Sequence, residues 1–138
     1  MTTRRKARRV AIDILYQADL TGAPVERVVS DWRAAGREVP AFAEELVDGV
    51  DGRQPEIDLL LEEHSEGWTV ARMAALDRTI LRLGVYELRY RSDVPPSVAI
   101  SEAVEAASEL SSEGSKAYVN GILGVIAREV GGPGVAPS

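Results

Sequence analysis

The feature of this sequence that most limits its fold is an apolar period of about 3.6 residues, which runs through nearly every segment. The period is interrupted at glycine, proline and serine-rich points, where helices usually begin or end. No stretch alternates apolar and polar residues between turn signals for long enough to indicate a strand. We therefore predict an all-α fold, a single-domain bundle of six to seven helices.

The breaks in the period predict approximate helix boundaries. Thr3 is the expected cap of a first helix that runs to about Leu20, with Gly22 after it. The most apolar segment, residues 76–91, has the pattern of a central helix with several neighbours. Residues 1–130 would form the helical domain, and the glycine- and proline-rich residues 131–138 a disordered tail. The other predicted helices start near Pro24 (in the first turn), Pro40, Pro55, Thr69, Pro96 and Lys116.

Positive charge is concentrated at the amino terminus. The first ten residues contain Arg4, Arg5, Lys6, Arg8 and Arg9 and no acid, in a chain whose net charge is -6. Because an acidic body repels a polyanion, a basic region of this kind indicates a contact with nucleic acid. The alternative is a solvated basic tail.

Composition excludes several other classes of function. The chain has no cysteine and one histidine, His64, so disulfides, thiolate nucleophiles and multi-histidine metal sites are excluded. The sequence contains no Gly-rich phosphate loop, no nucleophile elbow and no metal-ligand spacing. No run of apolar residues is long enough to span a membrane. We expect a cytoplasmic protein that is not an enzyme and needs neither cofactor nor metal.

The first predicted helix is basic on one side and apolar on the other. Arg5, Arg9, Ile12 and Tyr16 fall on one face, where guanidinium groups suit phosphates and a phenol ring offers a stacking surface. This combination favours RNA or single-stranded DNA over duplex. The alternative is that Ile12 and Tyr16 pack against a second helix, which leaves only the arginines exposed. The opposite, core-facing side contains Ala7, Ala11, Ile14, Leu15 and Ala18.

The last predicted helix has two interior glycines, Gly121 and Gly124, on the face that also carries Ala117. Relative to alanines, two interior glycines cost roughly 2 kcal/mol of helix stability. The structural explanation is that a neighbouring helix crosses closely at this face. The functional explanation is that Tyr118 and Asn120, near the start of the helix, meet a ligand with their ring and amide.

Four segments resemble successive motifs of the NusB family of bacterial transcription antitermination factors. The resemblance covers nearly all of residues 3–127, and the combination of LRLGVYEL with YVNGIL is highly specific. Ser101 stands where the family usually has Asn, Tyr118 stands where Phe is commoner, and residues 18–68 match weakly. The segments are RRKARRVAIDILYQ at 4–17, DRTILRLGVYELRYRSDVP at 77–95, VAISEAVEAASEL at 98–110 and SKAYVNGILG at 115–124.

This resemblance implies an all-helical protein that forms a heterodimer with NusE, a small-subunit ribosomal protein. The pair would bind the single-stranded boxA element of ribosomal RNA leaders and help RNA polymerase pass termination signals, with RNA polymerase and other Nus factors as indirect partners. An apolar face that awaits NusE would also allow a homodimer of the free protein. The matching motifs imply that Tyr16, Asp77 and Arg78 bind NusE. They imply that RNA is bound by Arg4, Arg5, Lys6, Arg8, Arg9, Tyr16, Lys116, Tyr118 and Asn120.

Two other functions remain open. The chain also resembles the amino-terminal module of certain RNA cytosine methyltransferases, but it lacks the cysteine nucleophile, and its 138 residues leave no room for a cofactor-binding α/β domain. The second alternative is a helical adaptor that binds only protein. Direct RNA binding distinguishes the adaptor from an antitermination factor.

Overall fold

The computed structural model describes residues 2–130, which contain helices and no strand. The all-α prediction is confirmed, with seven α-helices and one 3-10 helix in this part of the chain. None of these helices combines the length and the apolar character needed to cross a membrane. The predicted tail, residues 131–138, lies outside the described residues. The helices are α1 Arg4–Thr21, α2 Val25–Ala34, α3 Ala41–Gly52, α4 Gln54–Glu63, the 3-10 helix Val70–Arg72, α5 Ala75–Tyr90, α6 Pro96–Leu110 and α7 Ser115–Val130.

Local chemistry defines both ends of α1. The Thr3 hydroxyl accepts a hydrogen bond from the backbone N–H of Lys6 at 3.1 Å, which satisfies one of the donors that a helix start leaves unpaired. Gly22 has a left-handed φ of 74°, and its N–H donates to the carbonyl of Ala18 at 2.9 Å. The predicted cap and stop are confirmed. Pro24 directly precedes α2 and is not in its first turn, contrary to the prediction.

The chain forms two compact units, of which the first ends at Gly52 and contains α1, α2 and α3. Here α1 packs against α2 and α3. Trp32 of α2 is buried, and its indole N–H donates to the Gln17 side-chain oxygen at 3.0 Å. All five predicted core residues of α1 are buried: Ala7, Ala11, Ile14, Leu15 and Ala18.

The second unit begins at Arg53 and contains α4 to α7. Helix α5 packs against α4, α6 and α7, and every residue from 79 to 88 is buried. The buried Arg82 donates from Nε and Nη2 to the two Asp58 carboxylate oxygens at 2.8 and 3.0 Å, a paired geometry that compensates the charge. The prediction that this segment is a central helix is confirmed.

Helices α5 and α7 approach each other closely at Gly84. A Cβ atom added to Gly84 would lie 2.6 Å from Cδ1 of Leu123, well inside van der Waals contact. A Cβ on Gly121 would meet no atom within 4 Å, and one on Gly124 would meet only Nη1 of Arg128 at 3.9 Å. The expected close crossing at the two α7 glycines is therefore wrong, because the glycine that permits close approach is on α5.

Candidate nucleic-acid interface

The predicted phosphate-binding residues occupy the first two turns of α1. Arg4, Arg5 and Lys6 are exposed and Arg9 is half-buried, whereas Arg8 is only 5% exposed and offers little surface to a phosphate. The first turn contains no acidic residue. Cations beside the positive end of a helix dipole are unfavourable for the helix but favourable for binding an anion. The arrangement therefore favours phosphate binding at some cost in the stability of α1.

Phe42 of α3 supports two of these arginines. The guanidinium carbons of Arg4 and Arg8 lie 4.2 and 5.4 Å from the centroid of its ring. Such cation–π contacts hold a guanidinium group in place without neutralising its charge. Arg4 is thus both exposed and restrained, whereas the basic-tail alternative requires unrestrained side chains.

The second half of the predicted RNA face of α1 is less accessible than its arginines. Ile12 is 2% exposed, so it packs in the interior and is not available to RNA. Tyr16 is half-buried and retains part of its accessible surface. Partial burial raises the pKa of Asp13 above its ordinary value, and the charges of Arg37 and Arg9 oppose that shift. The accessible part of this face therefore consists mainly of cations with Tyr16 further along the helix.

The other predicted RNA-binding residues lie in the first two turns of α7. Lys116 and Asn120 are exposed and Tyr118 is half-buried. Burial raises the pKa of Tyr118, and the negative charge of Asp77 raises it further. The phenol is therefore neutral at physiological pH and retains its O–H donor.

Asp77, a predicted NusE-binding residue, fixes the connection between α6 and α7. Its Oδ1 accepts from the hydroxyl of Ser111 at 2.6 Å, and its Oδ2 accepts from that of Ser115 at 3.1 Å. Ser115 is buried and is the first residue of α7. Asp77 therefore holds the start of the helix that carries Tyr118.

Arg78, the other predicted NusE-binding residue on α5, is also half-buried. Its Nη1 donates to the carbonyl of Met73 at 3.0 Å, which ties the start of α5 to the residue after the 3-10 helix. Asp77 and Arg78 thus share the amino-terminal end of α5 and are both bonded within the second unit. Their role in a protein contact stays a prediction.

Trp68 is a candidate functional residue that the sequence reasoning did not single out. Its side chain is 50% exposed, and the guanidinium carbon of Arg72 lies 5.1 Å from its ring centroid. Trp68 and Tyr118 line the same cavity. The available sequence signal was a large aromatic residue in the polar turn HSEGWT, outside any apolar stripe.

His64 contacts a carboxylate. Its Nε2 lies 2.6 Å from Oε2 of Glu129 on α7. With a carboxylate oxygen of Glu63, these atoms form a group of three possible metal ligands that lie within 4.8 Å of one another. Both glutamates are exposed. We interpret this group, one imidazole beside two exposed carboxylates, as a polar contact between the end of α4 and α7.

The fold and these residues define a class: small helical proteins in which an exposed cationic helix start suits a nucleic acid. The sequence profile of the NusB family matches residues 5–128, and the chain belongs to this family. The resemblance carried by the four sequence motifs is confirmed.

Individual members agree with this assignment. A transcription antitermination protein NusB of Saccharopolyspora erythraea is 51% identical over 131 residues, which are 92% of this chain and 88% of that protein. The structure of NusB from T. maritima has a TM-score of 0.84 at 32% identity and covers 93% of this chain and 92% of its own. A crystal structure of antitermination factors NusB and NusE in complex with dsRNA has a TM-score of 0.81 at 28% identity, over 91% of this chain and 96% of that one.

Proposed function

We propose that this protein is a transcription antitermination factor that binds RNA directly and acts with NusE. The observation that carries the proposal is the start of α1, where Arg4, Arg5 and Lys6 are exposed in a chain of net charge -6. The side chains lie at the positive end of the helix dipole. This local field attracts a polyanion that the rest of the acidic chain repels.

The proposed ligand is the single-stranded boxA element of a ribosomal RNA leader. Single-stranded RNA exposes bases that aromatic rings can stack on, and the proposed contacts include two half-buried tyrosines, Tyr16 and Tyr118. Lys116 supplies a further cation and Asn120 an amide that can pair with a base edge. The complex of a related NusB and NusE contains dsRNA, so duplex RNA is the comparison that the experiment requires.

NusE is the proposed protein partner, with Tyr16, Asp77 and Arg78 at the contact. A related NusB has been crystallised with NusE. The proposed task of the pair is to let RNA polymerase pass termination signals on ribosomal RNA genes in the cytoplasm, with other Nus factors as indirect partners. In the absence of NusE, the free protein would be able to form a homodimer.

The experiment is a titration of boxA RNA with the protein, with and without NusE, at several salt concentrations. With about four phosphates neutralised, log K should fall with log salt at a slope near -3, using about -0.7 per contact for single strands. The double variant Arg5→Ala/Lys6→Ala should bind every RNA more weakly and flatten the slope by about 1.4.

The control variant is Arg27→Ala/Arg128→Ala, which removes the same charge from exposed positions on α2 and α7. It should bind RNA with a slope close to that of the wild-type protein. Equal slopes for both double variants would contradict a role for the start of α1. Tighter binding of a duplex of the same sequence would contradict the single-strand preference. If the protein binds NusE but binds no RNA, it is a protein-binding adaptor.

A further inference from the structure

A cavity of about 320 Å³ lies in the second unit, between α7 and the turn that follows α4. Trp68, Tyr118, Gly121 and Val125 contribute to its wall. Trp68 is 50% and Val125 41% exposed, so two large apolar side chains face solvent at one place. Neighbouring exposed apolar side chains of this kind mark a binding site more often than isolated ones.

Gly121 keeps this cavity open. An interior glycine weakens a helix, and here no packing requirement explains it, since an added Cβ would meet no atom within 4 Å. A larger side chain at this position would project into the space that Trp68 and Tyr118 line. The glycine therefore costs stability and leaves space for a flat ligand.

The turn before the 3-10 helix holds Trp68 in place. The buried Ser65 donates its hydroxyl to the carbonyl of Trp68, and the N–H of Trp68 donates to the carbonyl of Ser65 at 3.2 Å. Glu66 has a φ of 53°, in the left-handed region that non-glycine residues rarely adopt. Strained residues of this kind are enriched at binding sites.

Charges around the cavity indicate which part of a nucleotide would enter it. Arg72 lies against the ring of Trp68, and the exposed Lys116 precedes the lining residue Ala117. These cations suit phosphates outside the cavity. Glu66 lines the cavity itself, where its carboxylate would repel a phosphate and accept a hydrogen bond from an exocyclic amino group.

We propose that this cavity binds one unpaired nucleobase of the RNA, stacked against Trp68 and Tyr118 with an exocyclic amino group directed to Glu66. The proposal rests on the RNA binding proposed above and adds a site for a base to the phosphate contacts of α1. The cavity volume falls at the lower end of the range of about 300–1,000 Å³ that is typical of small-ligand pockets. Aromatic stacking of this kind accepts any base, and the carboxylate would favour adenine, cytosine or guanine over uracil.

The first experiment compares Gly121→Leu with the matched control Gly124→Leu in a titration of single-stranded boxA RNA. Both variants replace a glycine of α7 with the same helix-favouring residue, but only position 121 lines the cavity. Gly121→Leu should bind RNA about 5- to 150-fold more weakly, the range expected for one lost stacking contact. Its salt slope should be unchanged because no phosphate contact is lost. Equal affinities of the two variants would overturn the proposal.

The second experiment uses Trp68→Ala and a series of RNAs in which each nucleotide in turn lacks its base. For the wild-type protein, one position should lose affinity when its base is removed. For Trp68→Ala, removal of that same base should cost clearly less than in the wild-type protein, because the contact with Trp68 is already absent and only those with Tyr118 and Glu66 remain. If the two losses add at every position, the base does not bind at Trp68. Trp68→Phe should recover much of the affinity.

The outcomes distinguish this inference from the proposed function. If the wild-type protein binds no RNA, both fail. If it binds RNA with the expected salt slope and tolerates Gly121→Leu, only the base site fails. If Gly121→Leu weakens NusE binding and leaves RNA binding unchanged, the cavity holds a protein side chain, which also overturns the inference. Thermal unfolding of each variant verifies its fold, and Trp68→Ala provides an independent result if Gly121→Leu unfolds.

Discussion

Gly84→Ala is the sharpest test of the helix packing described above. The added methyl group would lie 2.6 Å from Cδ1 and 3.1 Å from Cδ2 of Leu123. Leu123 is fully buried, so its side chain has no solvent into which it can move. Overpacking a core costs about 1–3 kcal/mol, whereas Gly to Ala in a helix interior contributes up to about 1 kcal/mol. We expect a net loss of up to about 2 kcal/mol in the free energy of unfolding.

The controls are Gly121→Ala and Gly124→Ala, which gain helix propensity without a clash. Each should raise the free energy of unfolding by about 0.5–1 kcal/mol. Urea unfolding followed by far-ultraviolet circular dichroism measures all three variants, and an unchanged m-value shows that the comparison concerns stability alone. The gain in helix propensity is common to all three variants, so the expected separation between position 84 and the two controls is the overpacking cost, about 1–3 kcal/mol.

A Gly84→Ala protein as stable as the controls would refute the close approach of α5 and α7. The double variant Gly84→Ala/Leu123→Ala gives a second test. Leu123→Ala alone should cost about 2–5 kcal/mol because it leaves a cavity. The methyl group at position 84 should then occupy part of that space, so the two changes should couple favourably by about 0.5–3 kcal/mol. Simple additivity would contradict the geometry.

Two further changes test polar contacts within the units. Asp77→Ala removes the acceptor of two serine hydroxyls and should lower the free energy of unfolding by about 2–3 kcal/mol. Asp77→Asn should cause a smaller loss. If the alanine variant is as stable in urea as the wild-type protein, the carboxylate does not anchor α7. Burial first, then repulsion from Glu44, Glu26 and Asp51, raises the pKa of Asp48, so its ionisation opposes folding above that raised pKa. Asp48→Asn should therefore be slightly more stable at neutral pH, and the gain should disappear as pH falls below the ordinary aspartate pKa; a gain that persists in acid would exclude this electrostatic cause.

The predicted helix boundaries were accurate where adjacent residues determine them. Thr3 and Gly22 delimit α1 as expected, because the bonds at a helix end join residues within about one turn of each other. The apolar stripe of α1 and the buried segment of α5 also followed from the 3.6-residue period, which states the side of a helix that is buried. Most residues of the candidate site were named from the family motifs, because a motif is a local pattern of residues that the sequence shows directly.

Only the tertiary structure decided which buried or polar groups meet. The period does not report how two helices are rotated against each other, so it pointed to Gly121 where the close approach is at Gly84. It likewise gave no indication that Asp77 would meet one serine at the end of α6 and another at the start of α7, or that Trp68 would share a cavity with Tyr118. These pairings depend on the crossing of elements far apart in the chain, and no local propensity encodes that crossing.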